Sequence, residues 1–135
     1  MREIYKEVVF LSAELSNLSY VENRRRTILL QYMLIDIGAS YVKTIGNYKG
    51  VREISYMVYL NIPKGITVEE LESMAFLNFD QDSILYRNTS NDTTLIYSNG
   101  NKEPLGKLVE ITELEAEKLD GYTKFPLSNK FVTIR

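Results

Sequence analysis

Glu53 is the residue whose setting most suggests chemistry. It lies in Gly46-Asn47-Tyr48-Lys49-Gly50-Val51-Arg52-Glu53-Ile54-Ser55, where two glycines bracket a tyrosine and an acid heads into an apolar run. An acid entering an apolar run implies a polar or cationic neighbour. With Tyr48 and Tyr41 close by in sequence, a cleft here would suit a cation, held by aromatic faces and by charge. Ser55 is two residues on and shares the strand face of Glu53. A second candidate is the run Arg24-Arg25-Arg26. Cations near a helix start oppose the macrodipole, so an anionic partner is expected for at least one of them. We take Arg25 as the candidate for a substrate carboxylate. The glycine turn is no phosphate loop, because it lacks the G-x-x-x-x-G-K-[ST] spacing and opens no helix. Asp80 and Asp82, and the alternating Glu113, Glu115 and Glu117, are explained by capping and solvated faces, so no metal site is assigned.

Composition limits the chemistry further. The chain has no histidine and no cysteine. That removes the commonest general base, the usual nucleophilic triads, thiolates and most transition-metal sites. An enzyme built from this chain needs a reaction with little proton shuttling. The net charge of −2 carries no basic footprint for nucleic acid or a membrane surface. The N-terminus is too charged for a signal peptide, and no apolar run is long enough to span a bilayer. A cytoplasmic protein of one α+β domain over residues 1–135 is expected.

The elements that must position these residues can be read in order. Ile4 to Ala13 reads as an interior strand. Ser19 and Glu22 have capping-box spacing, and Tyr20 to Ile37 reads as a helix with an apolar set of Val21, Ile28, Leu29, Tyr32, Met33 and Ile35, stopped by Gly38. Ser40 to Ile45 and Arg52 to Ile62 read as a hairpin joined by Gly46–Gly50, and Ile62-Pro63-Lys64-Gly65 ends it. Thr67 and Glu70 cap a second helix over Val68 to Asn78. Strands follow at Gln81 to Asn88, Thr93 to Ser98 and Leu105 to Thr112, then a short helix at Glu113 to Leu119 and a late strand at Lys130 to Ile134.

The order βαββαβ, with strands added at the C-terminus, predicts a ferredoxin-like antiparallel sheet with two helices on one face. Its other face would expose residues such as Met57, Tyr59 or Tyr56. A face so apolar predicts self-association, and by fold analogy a PII-like trimer.

The hairpin Gly46-x-Tyr48-x-Gly50-x-x-Glu53-x-Ser55, after a helix beginning Asn23-Arg24-Arg25-Arg26, resembles the phage S-adenosylmethionine lyases, formerly called hydrolases. So do Asp80-Gln81-Asp82-Ser83-Ile84-Leu85-Tyr86, Leu95-Ile96-Tyr97-Ser98-Asn99-Gly100 and Glu103-x-Leu105-Gly106. The resemblance implies a small homotrimer with active sites at subunit interfaces. It implies cleavage of S-adenosylmethionine to methylthioadenosine and homoserine lactone, depleting the methyl donor of host restriction and modification in the host cytoplasm. It implies catalytic roles for Glu53 and for Tyr48 or Tyr41, and a ribose contact for Glu103. No metal or cofactor is called for, because the substrate brings its own nucleophile and leaving group. The rival expectation is a non-enzymatic PII-like trimer that binds an adenine-containing effector.

Overall fold

A computed structural model describes residues 5–61 and 65–135. Strand β1 (Val8–Ser12) leads to helix α1 (Tyr20–Asp36), then β2 (Tyr41–Tyr48) and β3 (Val51–Tyr59). Helix α2 (Val68–Ser73) runs into a π-helical turn at Met74–Asn78. Strands β4 (Ser83–Arg87), β5 (Asp92–Tyr97) and β6 (Lys102–Ile111) come next, then the single turn α3 (Glu113–Glu117) and strands β7 (Gly121–Phe125) and β8 (Lys130–Ile134). The expected start at Ile4 and end at Ile62-Pro63-Lys64 fall on residues outside the described ones.

The ferredoxin-like open sheet is not what forms. Among the described residues, eight antiparallel strands close a barrel in the order β1-β3-β2-β7-β8-β6-β5-β4. Strands β5, β6 and β8, expected as an appendage, together with β7, which was not expected, carry the sheet from β4 round to β2 and remove its edges. The face expected to be bare is therefore the lumen. Met57 is buried there with Val8 and Phe10, and Tyr59, Val42, Leu85, Leu108 and Phe125 pack beside them. Tyr56 points the other way, into the core under the helices.

That outer core holds Val9, Leu11, Val58 and Ile84 from the strands and Leu30, Leu34 and Leu71 from the helices. Period-two alternation thus divides each strand between lumen and helix layer. Ser19 caps α1 by accepting from the Glu22 amide at 3.2 Å, and Gly38 ends it at φ 72°. Helix α1 buries Thr27, Leu30 and Leu34; of the apolar set expected from its periodicity, Met33 packs against that core, while Val21, Ile28, Leu29, Tyr32 and Ile35 are 41–61% exposed.

Two glycines shape the closure. The β2–β3 hairpin turns on Lys49 (φ 50°) and Gly50 (φ 81°), a two-residue turn with both central residues at positive φ. Gly46 is not part of that turn. In β6, a Cβ on Gly106 would lie 2.6 Å from the Arg135 carbonyl oxygen, so only glycine lets the C-terminus approach.

Candidate active site

The lumen opens at one end into a polar mouth. Its lumen-side cavity, about 800 Å³, is lined by apolar residues such as Phe10, Leu85, Leu105 and Val132, with Tyr48 and Tyr122. The mouth, about 410 Å³, is lined by Ser12, Glu14, Ser55, Asp82 and Ser83 among others. Glu53 borders both. These sizes lie in the usual range for small-molecule sites.

Glu53 reaches this neck because β3 alternates. It shares the inward side with Met57 and Ser55, and its cross-strand partner is Gly46. With no side chain at Gly46, the space beside Glu53 stays open. On the other side, Tyr48 lays its ring over Gly121: a Cβ there would sit 3.2 Å from Tyr48 Cδ2.

The end of β1 builds the rest of the mouth. Ser12 is the last residue of β1 paired to β3, opposite Ser55. Side chains then take over the backbone of Ile54. Ser12 Oγ donates to the Ile54 carbonyl at 2.8 Å, and Glu14 Oε2 accepts from the Ile54 amide. Residues 13–15 are pinned from outside. Arg26 Nε donates to the Ala13 carbonyl at 2.7 Å, Gln81 Nε2 to the Glu14 carbonyl at 2.9 Å, and Asn23 bonds both backbone groups of Leu15 at 2.9 Å. This fixes the Glu14 carboxylate near Glu53. Deeper along the strands, Thr44 Oγ1 and Ser55 Oγ are 2.7 Å apart, and Thr44 is fully buried.

The Glu53 pKa is raised above 4.5. Loss of water around the carboxyl is the main cause and the Glu14 charge the second, while the nearby Ser12 hydroxyl pulls the other way. Glu53 is nonetheless an exposed residue, so water screens its carboxyl in part. Among the described residues neither acid has an ion-pair partner. Two carboxylates with no ion-pair partner among the described residues, at the neck of an apolar cavity, suit a cation that carries an apolar group.

Of the residues singled out in the sequence, Glu53, Tyr48 and Ser55 come together here. Tyr41 does not. It faces outward on β2, where its hydroxyl accepts from Gln31 Nε2 at 3.1 Å and its ring meets Tyr56 edge-on at 5.4 Å. Arg25 is exposed and lines neither cavity. Its neighbour Arg26 is the partnered arginine of the run, though its partners are the Ala13 and Phe79 carbonyls and the Phe79 ring rather than an anion. Glu103 is the cross-strand partner of Leu95, which lines the lumen, but it lies outside both cavities and accepts from the Tyr97 hydroxyl at 2.8 Å.

Sequence reasoning missed Ser12 and Glu14. Their signal was present: they continue the period of two that sets Val8 and Phe10 inward. Among the described residues no three acids gather closely enough to hold a metal ion, and no helix is long and apolar enough to cross a membrane.

No curated protein matches the chain in a sequence comparison. A profile of the S-Adenosylmethionine lyase family matches residues 9–134, nearly the whole length. The chain belongs to the S-adenosylmethionine lyase family and is a lyase that acts on S-adenosylmethionine.

Proposed function

We propose that the barrel mouth is where S-adenosylmethionine is cleaved, to methylthioadenosine and homoserine lactone. The substrate carboxylate attacks its own γ-carbon. The bond from that carbon to sulfur breaks, and its electron pair stays on sulfur. A sulfonium and a carboxylate become a neutral thioether and a neutral ester. No proton is moved, in keeping with a chain that has no histidine or cysteine.

The protein must hold the methionine arm curled and dry. Orientation of this kind can contribute up to about 7–11 kcal/mol to lowering the barrier. Because charge is annihilated in the transition state, an apolar cavity beside the reacting atoms favours the step. The observation that carries this reading is Glu53, an acid with no ion-pair partner among the described residues, at the junction of polar mouth and apolar lumen. The methionine arm lies in the mouth and the adenosine extends toward Tyr48 and the lumen. Glu53 holds the cationic end and fixes its rotamer. An attraction to the sulfonium alone would stabilise the ground state and gain no rate.

The outward stripe of α1 supports the homotrimer. A helix apolar on both sides is normally covered on both. Val21, Ile28, Leu29, Tyr32 and Ile35 form an apolar surface fit for a second copy. Ile28 also borders the groove that holds Tyr41 and Arg24, so a copy seated on α1 would close over Tyr41. Arg25 lies on the same outward side and would meet that copy. In a phage, the activity would deplete the methyl donor of host restriction and modification.

The test is product analysis after incubation with S-adenosylmethionine. Methylthioadenosine should form with the wild-type chain and fall by more than about tenfold in Glu53→Gln. Near-normal turnover in that variant would remove Glu53 from the mechanism.

A further inference from the structure

The far end of the barrel carries the opposite charge. A cavity of about 460 Å³ there is lined by Lys6, Arg87 and Lys130, with Tyr5, Tyr59, Ser128, Phe125 and other apolar residues. The strand register explains how three cations converge. Val8 is buried in the lumen, and its cross-strand partners are Arg87 and Tyr59, so both share its inward side. Lys6 precedes Val8 by two residues, and Lys130 precedes the lumen-lining Val132 by two. Lys130 is also paired with Phe125, which packs against the lumen cluster. Three separate strand ends thus direct a cation inward.

No described acid neutralises these cations. Among the described residues no acid lines the cavity, and no ion pair joins Lys6, Arg87 or Lys130. Glu7 alternates to the outer side and accepts from the Tyr86 hydroxyl. Glu110 shares the inward side as the partner of Val132, but it does not line the cavity. Arg87 Nη2 donates to the Lys6 carbonyl at 2.8 Å, while its Nε–H is buried with no hydrogen-bond partner. A buried guanidinium N–H left unpaired is costly and calls for an acceptor. Burial also lowers the Arg87 pKa, the sign expected when a cation lacks compensation. Aromatic faces hold two of the cations in place: Lys6 Nζ lies 5.4 Å from the Tyr59 ring centre and Arg87 Cζ 5.3 Å from that of Tyr5.

We propose that this end of the barrel is a second ligand site, for a multivalent oxyanion of the phosphate-ester class, separate from the acidic mouth. Arg87 would supply the directed contact, because a guanidinium fork matches a tetrahedral oxyanion. Lys6 and Lys130 would add charge, and Ser128 a hydroxyl. The apolar lumen behind them would accept an attached organic group, since Leu108 and Val132 line both this cavity and the lumen.

The test is calorimetric titration of the full chain with inorganic pyrophosphate, with citrate in a parallel arm and ionic strength held constant by chloride. Saturable binding of pyrophosphate is expected at one site per chain. Arg87→Gln and Lys130→Gln should each weaken it by at least about tenfold. Lys124→Gln, a cation placed over the outer ring of Phe131, should not. If Arg87→Gln fails to fold, Lys130→Gln carries the test, because that side chain lies on the surface. Saturable citrate with no pyrophosphate binding would reassign the site to carboxylates and overturn the phosphate class. Absence of saturation by either anion at millimolar concentration, or equal weakening by Lys124→Gln, would overturn the site itself.

Discussion

Replacing Glu53 with glutamine should stabilise the fold while it lowers turnover by more than about tenfold. The sign follows from the raised pKa. In the folded chain the carboxyl titrates above 4.5, so folding favours its protonated form. Its contribution to stability is therefore present at low pH and lost as pH rises through the folded-state value. At neutral pH the ionised group costs stability, through lost hydration and through Glu14. Glutamine keeps the shape and removes the charge. Solvent reaches the residue, so the relief is of the size seen for exposed charge pairs, about 0.2–1 kcal/mol. At roughly 4 °C per kcal/mol for a chain of this length, Tm should rise by about 1–4 °C. The assay is thermal unfolding from pH 4 to pH 8, alongside release of methylthioadenosine. The gain should appear above the folded-state pKa of Glu53 and shrink as pH falls below it, where Glu53 itself is protonated. A lower Tm at pH 7, or a gain independent of pH, would refute the placement of Glu53 beside Glu14.

Three further outcomes follow from the geometry. A Cβ on Gly46 would meet only the Glu53 carbonyl oxygen, at 3.7 Å, so Gly46→Ala should fold normally. Gly46→Leu should fill the neck and weaken substrate binding by more than about tenfold while leaving Tm within a few degrees, as calorimetry and unfolding would show. Gly106→Ala would set Cβ 2.6 Å from the Arg135 carbonyl oxygen. The backbone must shift, and denaturant titration should register a loss of about 1–3 kcal/mol. Tyr32→Glu places a charge on the outward stripe of α1 and should turn the assembly into monomers by sedimentation without loss of secondary structure; a wild-type chain that is monomeric at high concentration would contradict the proposed interface.

The helices were the most legible part of the fold. Ser19, Thr67 and Gly38 mark their ends through local hydrogen bonds and a positive φ, which depend on neighbours in sequence. Barrel closure was not legible, because it depends on pairings such as β2 with β7 that join residues far apart in sequence. β7 itself was overlooked, since Gly121-Tyr122-Thr123-Lys124-Phe125 shows little apolar alternation. β6 was read from Leu105, three residues late; Pro104 cannot donate to a ladder and Gly106 weakens a strand interior, so the segment carries a weak strand signal. Both sit where the register to β5 shifts, an irregularity that tolerates a proline.

Helix α1 shows the limit of periodicity. Its apolar stripe was readable, but whether that stripe faces its own core depends on the remaining positions. Leu30 and Leu34 with Thr27 won the inward side. At the candidate site, Glu53 was singled out as an acid entering an apolar run and Ser55 by strand alternation, and both line the barrel mouth. The same alternation separates Tyr41 from Tyr48: they are seven residues apart on one strand, an odd spacing that puts them on opposite faces.

The central claim is that the substrate's own carboxylate, and not water, displaces the thioether. The most direct measurement is to run the reaction in water enriched in the heavy oxygen isotope and to analyse both products by mass spectrometry at early times. Methylthioadenosine should appear together with homoserine lactone free of label, and any homoserine formed later should carry label only in its carboxyl group. Label in the γ-hydroxyl of homoserine would show that water attacks the γ-carbon, and would contradict the account.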